Sequence, residues 1–299
     1  SYAVMPSVTG CWIPGKMFMQ PADDIPDKQL ARRSFGLAAT HYDQAAVLQR
    51  EVGDRLQQRL DLVRLEPRRV LDLGSGTGQC VDGLLSRYRK AEVVALDIAL
   101  PMLQQARRRG RWLRRPRCIC ADAERLPFAD GSFELVFSNL MLQWVVDLEA
   151  AFREVRRVLR PGGLWLFTSF GPDTLKELRA CWAQVDDYAH VNRFMDMHDV
   201  GDTLLQTGFC DPVMDIERLT VTYPDAWQLM RELKTIGAHN VTVGRPRGLT
   251  GKRRMQKLVQ AYEAYQVNGV LPASYEIVNG HAWCGGDELR VSLESVKRK

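Results

Sequence analysis

The chain has 299 residues, 45% hydrophobic and 26% charged, with 14 Pro and 23 Gly; this balance excludes a fibre, a repeat array and wholesale disorder. No apolar run approaches the roughly 20 residues needed to cross a bilayer as a helix. Seven cysteines without a CxxC pair argue against a disulfide scaffold or a thiolate metal site, and for a reducing, cytoplasmic setting.

The net charge of +5 is mild but clumped. One run holds Arg107, Arg108, Arg109, Arg111, Arg114, Arg115 and Arg117 with no acid among them, another gathers Arg245, Arg247, Lys252, Arg253 and Arg254, and the tail ends Lys297-Arg298-Lys299. Each cluster reads either as a solvated face or as a surface for an acidic partner.

In chain order, an irregular leader (1–29) carries only Lys16 as a basic residue through Asp24, unlike a signal or transit peptide. From Leu30 to Leu65 the pattern is helical, with Leu48, Val52, Leu56 and Leu60 on one stripe. β-rich runs then follow at Arg69–Leu73, Glu92–Ile98, Cys118–Asp122, Phe133–Leu140 and Leu164–Phe170. Helical stretches separate them at Val81–Tyr88, Pro101–Arg109 and Leu148–Leu159, the last ended by Pro161-Gly162-Gly163. Alternation of this kind makes a parallel sheet with helices on both faces. Cys118 and Cys120, at alternate strand positions, read as small core residues. After Phe170 the pattern predicts a long helical section (Asp173–Leu205), a strand (Met214–Tyr223), helices at Trp227–Ile236 and Lys252–Gln266, and a closing strand at Tyr275–Trp283. These late helices are expected to cap the carboxyl ends of the strands, where open α/β sheets bind ligands.

The sharpest local signal is VLDLGSGTG, Val70–Gly78: a strand, then Gly74, Gly76 and Gly78, then a helix. Glycines let backbone turn tightly and lie against a ligand. The spacing is GxGxG, not the GxGxxG of dinucleotide binders, and no Lys-Ser/Thr follows as in a phosphate loop. The second strand ends in Asp97, placed to accept from two ribose hydroxyls, and the third ends in Asp122, within reach of an adenine amino group.

With the LPFADGSFELVFS run that follows, these residues resemble class I S-adenosylmethionine methyltransferases over Val70–Phe170. The resemblance implies a Rossmann-like fold, a seven-stranded and mostly parallel sheet with a helical cap inserted around the late strands. It implies S-adenosyl-L-methionine as cofactor, S-adenosyl-L-homocysteine as product and no metal. It places Asp72, Gly74, Ser75, Gly76, Gly78, Asp97, Ile98, Met102, Asp122, Ala123 and Asn139 around the cofactor. For Asp122 the bland reading is a helix cap, and for Met102 a core position.

Outside that region, RRSFGLAATHYDQAA (32–46), FGPDTLKELR (170–179), HVNRFMDMHDVGDTL (190–204), GFCDPVMDIE (208–217), LKTIGAHNV (233–241) and LPASYEIVNGHAW (271–283) resemble the malonyl-acyl carrier protein O-methyltransferases that open pimelate synthesis in the biotin pathway. The resemblance implies methyl transfer to the free malonyl carboxylate, which is ionised at neutral pH and needs no general base. It implies an acidic carrier protein as partner, with malonyl-coenzyme A as an alternative thioester, and no nucleic acid or membrane. Arg179, then Arg193, is the expected partner of the carboxylate. Tyr42 and Gln143 would wall the transfer point, with Lys176, His190 and His198 as further candidates. The implied division is leader 1–29, helical flap 30–66, cofactor core 67–170, cap and last strands 171–285, and tail 286–299. Two readings stay beside this one: an arginine-hydroxylating assembly factor of the same fold, which shares the DTL-ELR element, and a methyltransferase for another small acceptor.

Overall fold

The computed structural model describes residues 26–238, 240 and 250–285. The leader up to residue 25, Arg245, Arg247 and the basic tail lie outside the described residues.

Seven strands form one sheet in the order β3-β2-β1-β4-β5-β7-β6. β1 (Arg69–Leu73), β2 (Glu92–Asp97), β3 (Arg117–Cys120), β4 (Phe133–Ser138) and β5 (Leu159–Phe170) pair in parallel. β6 (Phe209–Tyr223) and β7 (Leu271–Cys284) pair antiparallel to each other, and β7 antiparallel to β5. Val70, Leu71 and Leu73 of β1 and Leu135, Val136 and Phe137 of β4 are fully buried, as expected of strands covered on both faces.

The helices build the outer layers. α1 (Lys28–Ala38), α2 (Tyr42–Ala45) and α3 (Val47–Arg59) precede the sheet, and α4 (Val81–Arg87), α5 (Leu100–Ala106) and α6 (Leu148–Val158) cross between parallel strands. In α6, Asp147 caps the first turn by accepting from the Ala150 N–H at 2.9 Å, and Ala151, Phe152, Val155 and Val158 bury one stripe. Phe152 meets Trp165 edge-on at 4.6 Å in the core of that face. On the other face Leu56, Leu60, Val70, Leu84 and Leu103 pack together. α7 (Lys176–Ala183) and α8 (Met197–Gln206) lie between β5 and β6, and α9 (Ala226–Thr235) and α10 (Lys252–Glu263) between β6 and β7.

Several expectations are corrected. The helical pattern read over 30–65 begins two residues earlier, at Lys28 within the expected irregular leader, and is divided into α1, α2 and α3; the section 173–205 is α7 and α8 joined by thirteen residues of loop (184–196). Pro161-Gly162-Gly163 does not simply stop a helix: β5 already starts at Leu159, and the triplet sits in a register shift opposite Phe133 and Leu135. β6 begins at Phe209, before Met214, because a bulge between Cys210 and Val213 absorbs Asp211 (φ 49°) and Pro212. Cys120 is exposed and is not a core residue, whereas the half-buried Cys118 packs against the core. No helix among the described residues is long and apolar enough to cross a membrane.

Candidate active site

Strand order reverses between β1 and β4, and a cleft opens there at the carboxyl edge of the sheet. It is lined by Gly74 and Gly76 after β1, Leu96, Asp97 and Ile98 at the end of β2, Ala121–Ala123 after β3, and Asn139–Met141 after β4. Lys28, Ala31, Phe35 and Tyr42 of the N-terminal helices close it from above.

The glycine turn has Gly74, Gly76 and Gly78 at φ 75°, 54° and 76°, backbone that L side chains avoid. A Cβ at Gly76 would meet nothing within 4 Å, leaving that face of the turn open to a ligand. Gly78 serves differently: its Cβ position falls 3.0 Å from Ala106, so it lets α5 pack closely. Asp97 accepts from the Gly76 N–H at 2.9 Å and the Ala99 N–H at 2.8 Å. Burial raises its pKa against those backbone donors. Asp72 lies beneath the turn, 2% exposed; burial, then the Asp97 charge, pushes its carboxyl up to about 7. One Asp72 oxygen and the Ser75 hydroxyl are buried without a hydrogen-bond partner. Open space at Gly76 and a carboxylate at the end of β2 fit a nucleoside joined to an amino acid, while the two orphaned groups lie behind the turn, outside the cleft lining.

Asp122 accepts from Lys28 Nζ at 2.7 Å and from the Glu124 N–H at 3.0 Å. Lys28 also reaches Glu124 at 2.5 Å. Burial works against the Lys28 charge, but Asp122 and Glu124 outweigh it and raise its pKa. Asp43, next to Tyr42, takes hydrogen bonds from Thr77 at 2.5 Å, Gln79 at 3.2 Å and Arg109. Burial, then Asp97, raises the Tyr42 phenol well above its ordinary value, so it stays protonated. Asn139 donates to the Gln49 carbonyl at 2.8 Å and accepts from Thr168 at 2.8 Å. Beside it Leu140 is held at φ 49°, a non-glycine left-handed residue at the strand end.

Trp144 lines this cleft and also a second cavity of about 630 Å³ under α7, α9 and α10. That chamber is walled by Leu48, Phe170, Leu178, Trp182, Phe194 and Tyr275, with Arg231 and Lys234 exposed among its lining residues. His190 lines it too, stacked on Trp182 at 3.6 Å, with Nε2 2.7 Å from Asp186.

Of the predicted cofactor residues, Gly74, Gly76, Asp97, Ile98, Met102, Asp122, Ala123 and Asn139 come together around the cleft, as does Tyr42. Asp72, Ser75 and Gly78 support the turn from outside that lining. The predicted acceptor residues scatter. Gln143 and Arg193 line a smaller adjoining cavity, where Gln143 Nε2 donates to the Leu140 carbonyl at 2.6 Å. Arg179 lines neither cleft nor chamber; its guanidinium donates to the carbonyls of Pro172 and Thr174 at 2.9 and 3.0 Å, closing the loop before α7. Burial, then the Arg193 charge, lowers its pKa. Lys176 (side chain 52% exposed, near Asp173) and His198 (82% exposed, on Asp196) also line neither cavity. Sequence reasoning missed Lys28 and Asp43, whose partners are far along the chain, and Arg231 and Lys234, which look like ordinary surface positions of α9.

Residues 71–167 match the family model described as a methyltransferase domain. A malonyl-acyl carrier protein O-methyltransferase of Halorhodospira halophila is 53% identical over 293 residues, covering 94% of this chain and 99% of that one. A protein of the same name from Legionella pneumophila is 42% identical, covering 85% and 89%. Among solved structures, a methyltransferase from Bacillus halodurans shares the fold, with TM-score 0.56, 18% identity, and coverage of 78% and 99%.

Proposed function

Because the chain belongs to the malonyl-acyl carrier protein O-methyltransferases, we propose that it methylates the free carboxylate of a malonyl group carried as a thioester, at the start of pimelate assembly for biotin. The observation that carries this reading is the paired cavity, a cofactor cleft and an apolar chamber that meet at Trp144. Family membership favours it over the arginine hydroxylase and over another small acceptor.

Gly74 and Gly76 would lie under the amino-acid portion of S-adenosylmethionine, Asp97 would accept from its ribose hydroxyls, and Asp122 and Ala123 would border its adenine. When bound, this cofactor supplies a methyl group on a sulfonium: a carboxylate oxygen forms the new O–C bond, the S–C electron pair returns to sulfur, and no proton moves. The chain is therefore asked for no general base, which suits a Tyr42 that stays protonated. What it supplies is alignment and dryness. Leu48, Phe170, Leu178, Trp182 and Phe194 give the chamber an apolar wall, and opposite charges that cancel on reaction gain from a water-poor surface. Holding two reactants in line contributes several kcal/mol, by an order-of-magnitude estimate. Arg193, beside Gln143 in the adjoining cavity, is the better placed of the two predicted arginines, since Arg179 already clamps a loop. The flap (30–66), core (67–170) and cap (171–285) divide lid, donor and acceptor duties.

The carrier docks, in this reading, on α9 and α10. Arg231, Lys234, Lys252, Arg253 and Lys257 are exposed there, without an ion pair among the described residues. The Arg107–Arg117 run is a poorer candidate. Its 113–117 end borders Glu92 and Val93 at the amino edge of the sheet, away from the chamber, while Arg109 is held by Asp43 and the Thr77 carbonyl at the glycine turn and Arg117 is paired with Glu92.

The test is methyl transfer from labelled S-adenosylmethionine to malonyl-carrier protein and to malonyl-coenzyme A. Label should enter a base-labile ester on the carrier. Arg253→Glu with Lys257→Glu should raise KM for the carrier while leaving the coenzyme A reaction as it was. Transfer to neither thioester overturns the function; an unchanged carrier KM overturns the docking face.

A further inference from the structure

The flap is pinned across the cofactor cleft at two places. On the glycine-turn side Asp43 is held by Thr77, Gln79 and Arg109. On the β3 side Lys28, in the first turn of α1, bridges Asp122 at 2.7 Å and Glu124 at 2.5 Å. The Glu124 carboxylate does more: its other oxygen accepts from the Val146 and Asp147 N–H groups at 2.8 and 3.0 Å, fixing the turn that follows Trp144. Phe35, two helical turns along α1 from Lys28, meets Trp144 edge-on at 5.0 Å. Trp144 is the wall shared by cleft and chamber. One ammonium thus ties the roof of the cofactor cleft to the loop carrying that wall.

We propose that Lys28 is a positioning residue that latches α1 over the bound cofactor and, through Glu124 and the Trp144 turn, sets the wall between cofactor and acceptor. The inference rests on the cofactor assignment above. A ligand beneath Lys28, Phe35 and Tyr42 leaves only when the Lys28 bridges open, so the latch governs cofactor exchange. Because the same bridges hold the Trp144 turn, cofactor and acceptor affinities are coupled. Lys28 is only partly exposed (side chain 26%) and faces two carboxylates, so screening weakens the latch without abolishing it.

The experiment is the dissociation rate of S-adenosylhomocysteine from the full chain by stopped-flow competition, which needs no acceptor. Lys28→Met should release it about fivefold faster, as expected for loss of a partly buried ion pair of about 1 kcal/mol. Lys28→Arg should restore the slow rate, and the melting midpoint of the unliganded protein should stay within about 2 °C, the shift about 1 kcal/mol gives in a chain this large. Calorimetry with a non-reactive malonyl thioester should show that S-adenosylhomocysteine strengthens acceptor binding in the wild type and not in Lys28→Met. Should Lys28→Met fail to fold, Glu124→Gln replaces it, since an amide oxygen still accepts from Val146 and Asp147 while the charge is lost. Off-rates equal in wild type and variant overturn the latch; fast release that Arg does not restore does the same. No measurable affinity for S-adenosylhomocysteine in the wild type would instead strike the cofactor assignment itself.

Discussion

Asp72→Asn isolates the electrostatic cost of the glycine turn. Folding moves the Asp72 carboxyl from its ordinary 3.8 to about 7, by burial first and the Asp97 charge second. Each pKa step of one is worth 1.36 kcal/mol, so the full displacement corresponds to about 4 kcal/mol. The sign follows from proton uptake. Between pH 4 and 7 the folded protein keeps a proton at Asp72 that the unfolded chain has released, so stability present below pH 4 is lost progressively as pH rises, and the loss levels off above about 7. About 2.7 kcal/mol of it falls between pH 5 and 7, which at roughly 2 °C per kcal/mol for a chain of this size is about 5 °C of melting midpoint. The amide in Asp72→Asn has no such titration. Thermal unfolding of the unliganded proteins at pH 5 and 8 should therefore show the variant gaining about 5 °C on the wild type at the higher pH. Midpoints that move in parallel would refute the assigned cause.

Gly76→Ala separates backbone strain from ligand contact: the positive φ should cost about 1 kcal/mol of stability, while the Cβ, entering the open face of the turn, should weaken S-adenosylhomocysteine binding at least about tenfold by calorimetry, and unchanged affinity would mean that the ligand lies elsewhere. Among the cysteines, Cys120 is exposed, whereas Cys80, Cys181 and Cys284 are buried with their thiols pushed up, chiefly by burial; Cys120→Ser should remove one fast-reacting thiol from a titration at pH 8, and persistence of the fast phase would place it on another cysteine.

What was legible in the sequence was local. The stripe through Leu48, Val52 and Leu56 announces α3 because helical spacing repeats within a few residues, and GSGTG announces a turn because glycines alone accept its φ values. What was not legible depended on distant partners. Nothing near Lys28 or Asp43 marks them, since their partners lie 94 and 96 residues away in one case and 34, 36 and 66 in the other. The loop between α7 and α8 carries the Asp186–His190 and Trp182–His190 contacts, which helical periodicity does not encode. The closing strand, expected from Tyr275, already starts at Leu271 and includes Pro272, which is tolerated because there β7 pairs only with β6; β5 joins from Ile277 onward. Arg179 misled because a conspicuous guanidinium in a cap motif can equally serve its own loop.

The exchange of β6 and β7 in the sheet order leaves β5 and β6 running the same way, so α7, α9 and α10 all spring from one rim of the sheet. The donor half of the molecule, β1 through β4, contributes none of them. On the proposed reading, most of the acceptor wall therefore comes from two stretches, 171–208 and 224–270, joined by Leu48, Trp144, Phe170 and Tyr275 from outside them, so that fitting another anionic guest means recutting those two stretches first.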